Sequence, residues 1–293
     1  MENQSEPATQ DFVSRFLDPA RAGDYAVDAD GATLRKRGRA DDDLARYGAA
    51  EDREQWAEVQ AELMEGILER TDAMLEIENV RKAFAGHDAL FAWRGPLSGD
   101  VLDVGGGWGL FRQWWTARPG ETFVVHDPGI ERHDAGPYPE QREVYARAFA
   151  RPLVFVEGVG ETLPYRDGSF DTALINASLD HTLDPQRVFR EIFRVLKPGG
   201  TFLCMEHIED AQKVNPEHYT VRRRIERVVK DPSRVVGFVR AKMHHDHHMH
   251  HFTSGSLGRL AREAGFRQIS TEVLDMEHRT IAVESKKPFD APA

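Results

Sequence analysis

The chain has a single cysteine, Cys204, among 293 residues. One thiol excludes an internal disulfide and any zinc site built from several cysteines. The chain also lacks an uninterrupted apolar run of membrane-spanning length, so no spanning helix is expected. Positive charge is in deficit: 38 Lys and Arg face 49 Asp and Glu, a formal net charge of −11. So acidic a surface opposes non-specific binding to nucleic acid or anionic lipid. The first residues, MENQSEPATQDF, are polar and acidic and carry no secretory-signal pattern. A cytoplasmic protein with neither nucleic-acid nor membrane partners is the expectation. With 40% hydrophobic and 30% charged residues, the composition excludes a fibre, a rod or a wholly disordered chain. Histidine is in surplus: six of the 13 lie between His244 and His251.

Most of the negative charge sits in residues 1–95, where 21 acids face 12 bases. The first 50 residues are turn-rich and poorly periodic, which predicts a loosely ordered arm or small cap. From Glu51, Trp56, Val59, Leu63, Ile67 and Met74 recur at helical spacing. They predict one or two amphipathic helices ending near Ala85 and Gly86. Residues 96–293 read as a second unit. Short apolar runs at 101–104, 122–127, 153–158, 171–177 and 200–207 suit strands buried on both faces. Between the last two, Phe189, Ile192, Phe193 and Leu196 mark a helix that Lys197-Pro198-Gly199-Gly200 stops. Alternating strands and helices imply a parallel sheet. Residues 208–252 interrupt the alternation with a basic helical segment and the histidine cluster. A helix over Ser254–Ala264, with Ser254 as cap and Gly265 as stop, then precedes an antiparallel pair at 267–275 and 279–287 on a sheet edge.

The sharpest local feature is Val101-Leu102-Asp103-Val104-Gly105-Gly106-Gly107-Trp108-Gly109. A buried strand runs into a glycine-dense turn, and a helix is predicted over Leu110 to Ala117. Glycine permits positive φ and close approach of a ligand to the main chain. The dinucleotide fingerprint G-x-G-x-x-G fails here, because Leu110 or Arg112 stands at its last position. An acid two residues before the first glycine would repel pyrophosphate. It suits a cationic, amino-acid-like ligand.

With these residues the chain resembles the class I S-adenosylmethionine-dependent methyltransferases, in particular their small-molecule subgroup, from about Gly99 to Val283. The family's acid-x-Gly-x-Gly-x-Gly loop is met by Asp103, Gly105, Gly107 and Gly109. Its second-strand acid, which holds the ribose hydroxyls, corresponds to Asp127, followed by Pro128. Its acid-x-Leu-Pro-aromatic stretch appears as Glu161-Thr162-Leu163-Pro164-Tyr165, and Arg194–Gly200 matches its post-helix stretch. The resemblance implies a Rossmann-like, seven-stranded, mostly parallel α/β sheet with helices on both faces and an antiparallel edge strand. An N-terminal helical cap and a helical insertion after the fifth strand would be added to it. It also implies S-adenosyl-L-methionine as cofactor, contacted by Asp103, Gly105, Gly107, Gly109, Asp127, Pro128, Gly160, Glu161, Asn176 and Ala177. Two departures stand out. Val159 occupies a position where the family often has an Asp for the adenine amino group, and Trp108 replaces a small residue in the glycine loop.

Methyl transfer from a sulfonium is an in-line displacement, helped mainly by position and exclusion of water. A hydroxyl acceptor also needs a base, for which histidine is well poised. The resemblance places the His181 loop at the cofactor's methionine end and His207 where the acceptor approaches; either is a candidate base, with Asp180 and Glu206 as orienting partners. Pocket-lining roles for both histidines stay open. The acceptor lid falls in 208–252, so Tyr219, Arg223, His248 and His251 are candidate substrate contacts. His244, His247, His248 and His251 also have the spacing of metal ligands on one helix face, so a divalent metal is an alternative. The expectation is methyl transfer to a small molecule at oxygen, on a sugar or natural-product intermediate, with a homodimer left open. The rival is a methyltransferase-like protein that binds the cofactor without transferring methyl, in a regulatory role or repurposed for a reaction such as cyclisation.

Overall fold

The computed structural model describes residues 6–69, 76–210, 249–275 and 280–291. The strands begin where apolar runs can be buried on both faces. These are β3 (Val101–Val104), β4 (Phe123–Asp127), β5 (Val154–Glu157), β6 (Phe170–Asn176) and β7 (Leu196–His207). Together with β8 (Arg267–Asp275), β9 (Thr280–Lys286), β1 (Tyr25–Val27) and β2 (Thr33–Lys36), they make one sheet. Its order is β1-β2-β5-β4-β3-β6-β7-β9-β8. The six strands from β2 to β7 run parallel. β1 is antiparallel at one end, and β9 and β8 are antiparallel at the other.

The α/β class, the parallel centre and the antiparallel β8–β9 edge agree with the sequence expectation. The strand count differs, with nine strands among the described residues instead of seven. The extra two come from the segment expected to be a loose arm. β2 pairs in parallel with β5 through Thr33–Phe155 and Leu34–Val156. Ahead of it, α1 (Glu6–Phe16) inserts Phe12 and Phe16 into the core cluster that contains Leu34, Tyr165 and Phe170. Burial of these rings, with Phe16 stacked on Phe170 at 5.2 Å, anchors the segment without local periodicity.

Helices cover both faces. α7 (Pro185–Val195) and α8 (Ser254–Ala264) join α1 on one face. α3 (Ile77–Arg94), with α5 (Pro139–Val144) and α6 (Ala146–Phe149), covers the other. α3 runs past the Ala85–Gly86 stop expected from sequence, because Leu90 and Phe91 bury against Trp114 and Phe111. Asp184 caps α7, accepting from Arg187 N at 3.0 Å. The cap of α8 is Thr253, one residue before the expected Ser254, in a capping box with Ser256. α2 (Ala50–Leu68) lies over the carboxyl ends of the central strands. No helix among the described residues is long and apolar enough to cross a membrane.

Candidate cofactor and methyl-transfer site

β3 is flanked by β4 on one side and β6 on the other, so chain direction across the sheet reverses there. Ligands of open α/β sheets bind outside the carboxyl ends of strands at such a point. The glycine turn stands there. Gly105, Gly107 and Gly109 all take positive φ, at 67°, 54° and 65°. A Cβ on Gly105 would lie 2.5 Å from Ser178 Cβ, and one on Gly106 would lie 2.4 Å from Asp103 Cγ. The turn therefore excludes side chains on grounds of space as well as dihedral angle. The helix expected over 110–117 is only a short 3₁₀ turn, Leu110–Trp114. It ends because the chain extends to pair with Leu97, through Leu97 N to Trp114 O at 2.9 Å and Thr116 N to Leu97 O at 2.7 Å.

Asp103 is fully buried, and neither carboxylate oxygen has a hydrogen-bond partner. Burial, and secondarily the charge of Asp127, pushes its carboxyl well above the usual carboxylate range. A buried, unpartnered acid beside a turn of free main chain fits a cationic ligand group. Asp127, at the end of β4, is held by donors: Gly129 N on Oδ1 at 2.7 Å, Gly107 N on Oδ2 at 2.9 Å, and Arg132 Nη2 on Oδ2 at 2.6 Å. Arg132 and these backbone donors bring its carboxyl below the ordinary value, against its burial.

A cavity of about 160 Å³ joins this site to the cap. Gly105, Asp127, Pro128, Gly160, Glu161, Ala177 and His181 line it from the sheet side, and Trp56, Leu63, Met64 and Ile67 line it from α2. An adjoining cavity of about 460 Å³ shares Trp56, Gln60, Met64, Pro128 and Gly129. Ala177 has φ 45°, uncommon for a residue with a Cβ. Its amide donates to Met205 O at 2.9 Å, which holds the turn after β6 against β7.

The expected cofactor residues converge unequally. Glu161 lines the cavity, but its Oε1 accepts from Leu183 N at 2.6 Å and Asp184 N at 3.2 Å. Its carboxylate thus serves the turn before α7. Asn176 faces His87, whose burial brings its imidazole down to about 4. Val159 packs with Leu44 and Trp56, so the position where an adenine-binding acid was expected supports the cap. Trp108 packs outward: Nε1 donates to Arg132 O at 3.0 Å, and its ring meets Tyr138 edge-on at 5.2 Å.

His181 lies in the cavity wall with Nε2 3.7 Å from Asp180 Oδ1. Trp56 Nε1 and Gln60 Nε2 both donate to its carbonyl, at 2.8 and 3.1 Å. His207 is exposed at the end of β7 and is not among the described residues lining the cavity. Fully buried, Glu206 accepts from Ser178 N at 3.1 Å and Leu179 N at 2.8 Å on Oε1. Tyr219, Arg223, His244, His247 and His248 lie outside the described residues. His251 is exposed, with Nδ1 3.5 Å from Glu209 Oε1. Among the described residues no group of three metal-ligating side chains occurs. Sequence reasoning missed Gln60, Arg132 and Ser178, which reach the site from remote elements and carry no motif.

Residues 102–204 match the family model described as a methyltransferase domain. This stretch is therefore similar to S-adenosylmethionine-dependent methyltransferase domains. A 146-residue stretch is 34% identical to a ubiquinone/menaquinone biosynthesis C-methyltransferase of Bartonella tribocorum, covering 48% of this chain and 54% of that one. An uncharacterized methyltransferase of Mycobacterium sp. (strain KMS) is 38% identical over 105 residues, covering 36% of this chain and 37% of the other. The matched stretches thus span about half, or less, of these curated relatives. The fold is shared with a Pyrococcus horikoshii OT3 protein of known crystal structure, at a TM-score of 0.51 and 17% identity. That match covers 74% of this chain and 97% of the other. The family match ends at Cys204, so the methyltransferase domain's matched part holds the glycine turn, Asp127 and His181. α2 and the β1–β2 pair lie outside it.

Proposed function

We propose that this chain transfers a methyl group from S-adenosylmethionine to a small-molecule acceptor. The observation that carries this reading is the buried Asp103 carboxyl, without a hydrogen-bond partner, beside a turn that has no room for a Cβ at Gly105 or Gly106. Asp103 would hold the ammonium group of the cofactor's amino-acid end. Main-chain groups of Gly105, Gly107, Gly109, Gly160 and Ala177 would line its path. Asp127 would take the ribose hydroxyls, and Pro128 would support the base. When bound, the sulfonium supplies an electrophilic methyl and a good leaving group. The protein's part is then to position the acceptor and exclude water, which α2 favours by lying across the strand ends with Trp56 and Met64 inward.

For a hydroxyl acceptor, His181 is the favoured base: it lies in the cavity wall, whereas His207 is exposed. A second reading, a carbon acceptor, is favoured by similarity to the C-methyltransferase of Bartonella tribocorum, and it makes a strong base less necessary. Calorimetry with S-adenosylmethionine and S-adenosylhomocysteine, before and after a chelator, tests the cofactor. Absence of binding at high micromolar ligand would sink the reading, and binding unaltered by the chelator would remove the divalent-metal alternative at 244–251. Methyl-¹³C-labelled cofactor incubated with a small-molecule extract separates the acceptors, because oxygen- and carbon-bound methyl carbons resonate apart. Binding with no labelled product would favour the non-transferring alternative.

A further inference from the structure

Three donors already claim the Asp127 carboxylate. A carboxylate offers about four acceptor positions, two on each oxygen. Gly107 N and Arg132 Nη2 fill both positions on Oδ2, and Gly129 N takes one on Oδ1. A vicinal diol that donates one hydrogen bond to each oxygen needs two positions, and only the one on Oδ1 is left. One present donor must leave. Gly107 belongs to a turn tied by Gly105 N to His126 O and Gly109 N to Gly106 O, both at 2.8 Å. Gly129 N is two residues from Asp127 on the same turn. Neither backbone donor withdraws without dismantling the turn. Arg132 contributes through a rotatable side chain.

The guanidinium lies across the glycine turn, where a Cβ on Gly107 would approach its Cζ to 3.0 Å. Its Nε is buried without a hydrogen-bond partner, so this pose leaves one donor unsatisfied, and departure forfeits less than a fully bonded arginine would. While it holds Asp127, Arg132 Cζ is already 5.8 Å from the Trp108 ring centroid, within cation–π range, so the ring can keep the guanidinium when the carboxylate is released.

We propose that Arg132 competes with the cofactor's ribose for Asp127 and so sets how tightly cofactor and demethylated product are held. The proposal rests on the reading that Asp127 takes the ribose hydroxyls. An ion pair that must open before the diol docks lowers the apparent affinity by the fraction of molecules in which it is closed. Trp108, anomalous within the glycine turn, gains a role as the surface that keeps the displaced guanidinium.

The test is calorimetry of S-adenosylhomocysteine and its 2′,3′-dideoxy counterpart against the full-length chain, Arg132→Ala and Arg132→Met. The methionine variant keeps an unbranched stem, should alanine unfold the turn. Both variants are expected to bind S-adenosylhomocysteine about tenfold more tightly, the equivalent of losing one charge-assisted hydrogen bond. Removing the diol is expected to weaken binding more in the variants than in the wild type. Equal or weaker binding by the folded variants, or an unchanged diol penalty, would overturn the proposal and leave the cofactor reading standing. No binding by the wild type would overturn both.

Discussion

Asp103 and Glu206 are both fully buried carboxyls, yet they are placed for opposite ends. Asp103 has no hydrogen-bond partner and lies beneath the glycine turn, outside the cavity lining; Glu206 spends Oε1 on two amides of the loop that carries His181. Burial first, and then the Asp180 carboxylate, hold Glu206 well above the usual carboxylate range, with the Cys204 thiol also nearby. An acid raised on folding contributes stability that is present below its ordinary pKa and lost as pH rises through the raised value. Glu206→Gln keeps an oxygen for both amides without the charge, so its melting temperature is expected to fall less than the wild type's between pH 5 and pH 8 in thermal scans. Glu206→Ala strands two N–H groups and is expected to lose about 2–5 kcal/mol at pH 5, less at pH 8 where the wild type has itself lost stability. Chemical denaturation measures this, and equal loss in both variants would refute the positioning role. At Gly105, alanine adds about 1–2 kcal/mol of left-handed backbone strain and the collision with Ser178 Cβ. Gly105→Ala is expected to abolish S-adenosylhomocysteine binding in calorimetry, and adding Ser178→Gly should recover the steric part of the stability. At this scale the sequence displays Asp103 and the glycines, because backbone demands leave a local signature. Ser178 and Arg132 stay silent, because they act from 73 and 5 residues away on Gly105 and Asp127 through contacts that no spacing encodes.

Whole elements were legible where burial made them continuous and obscure where partners made them. β3 to β7 show as apolar runs because both faces are covered. β1 and β2 hold three and four residues, and Arg35 and Lys36 give β2 a surface character. The central-sheet partner of β2, β5, lies more than a hundred residues on. The turn after Gly109 fails as a helix for a comparable reason, since the distant Leu97 outcompetes the next helical hydrogen bonds. α2 was readable from its period. Its target was not: the indole of Trp56 and the amide of Gln60 meet at the His181 carbonyl. Trp56→Ala removes that donor and the packing on Leu44 and Val159, a truncation of the kind that costs about 3–5 kcal/mol. Hydrogen exchange is expected to accelerate across 50–68 and 178–183 together. Acceleration confined to α2 would show that the helix and the loop are independent.

Over the molecule as a whole, the acidic first third is a distinct stretch of composition, yet its opening residues are part of the sheet and core. Phe12, Phe16, Leu17, Tyr25 and Leu34 share a cluster with Leu102 of the glycine-turn strand. Removing residues 1–40 is therefore expected to uncover the β5 edge and that apolar surface, giving an insoluble or aggregated product by size-exclusion chromatography. A soluble, monomeric remainder with native-like circular dichroism would contradict this.

One turn after β6 is gripped from two directions. The Asp180 carbonyl accepts the amides of Met249 and His250, at 2.9 and 3.2 Å, and the next carbonyl, His181, accepts both donors from α2. Two adjacent peptide groups thus join the segment before the domain to the segment after its fifth central strand. Linkage makes such a junction reciprocal. A molecule that steadies residues 249–250 on the turn lowers the entropy that a molecule beneath α2 must give up, and each raises the other's affinity by the same factor. Ligands on the two sides of such a junction would bind together more often than their separate affinities predict.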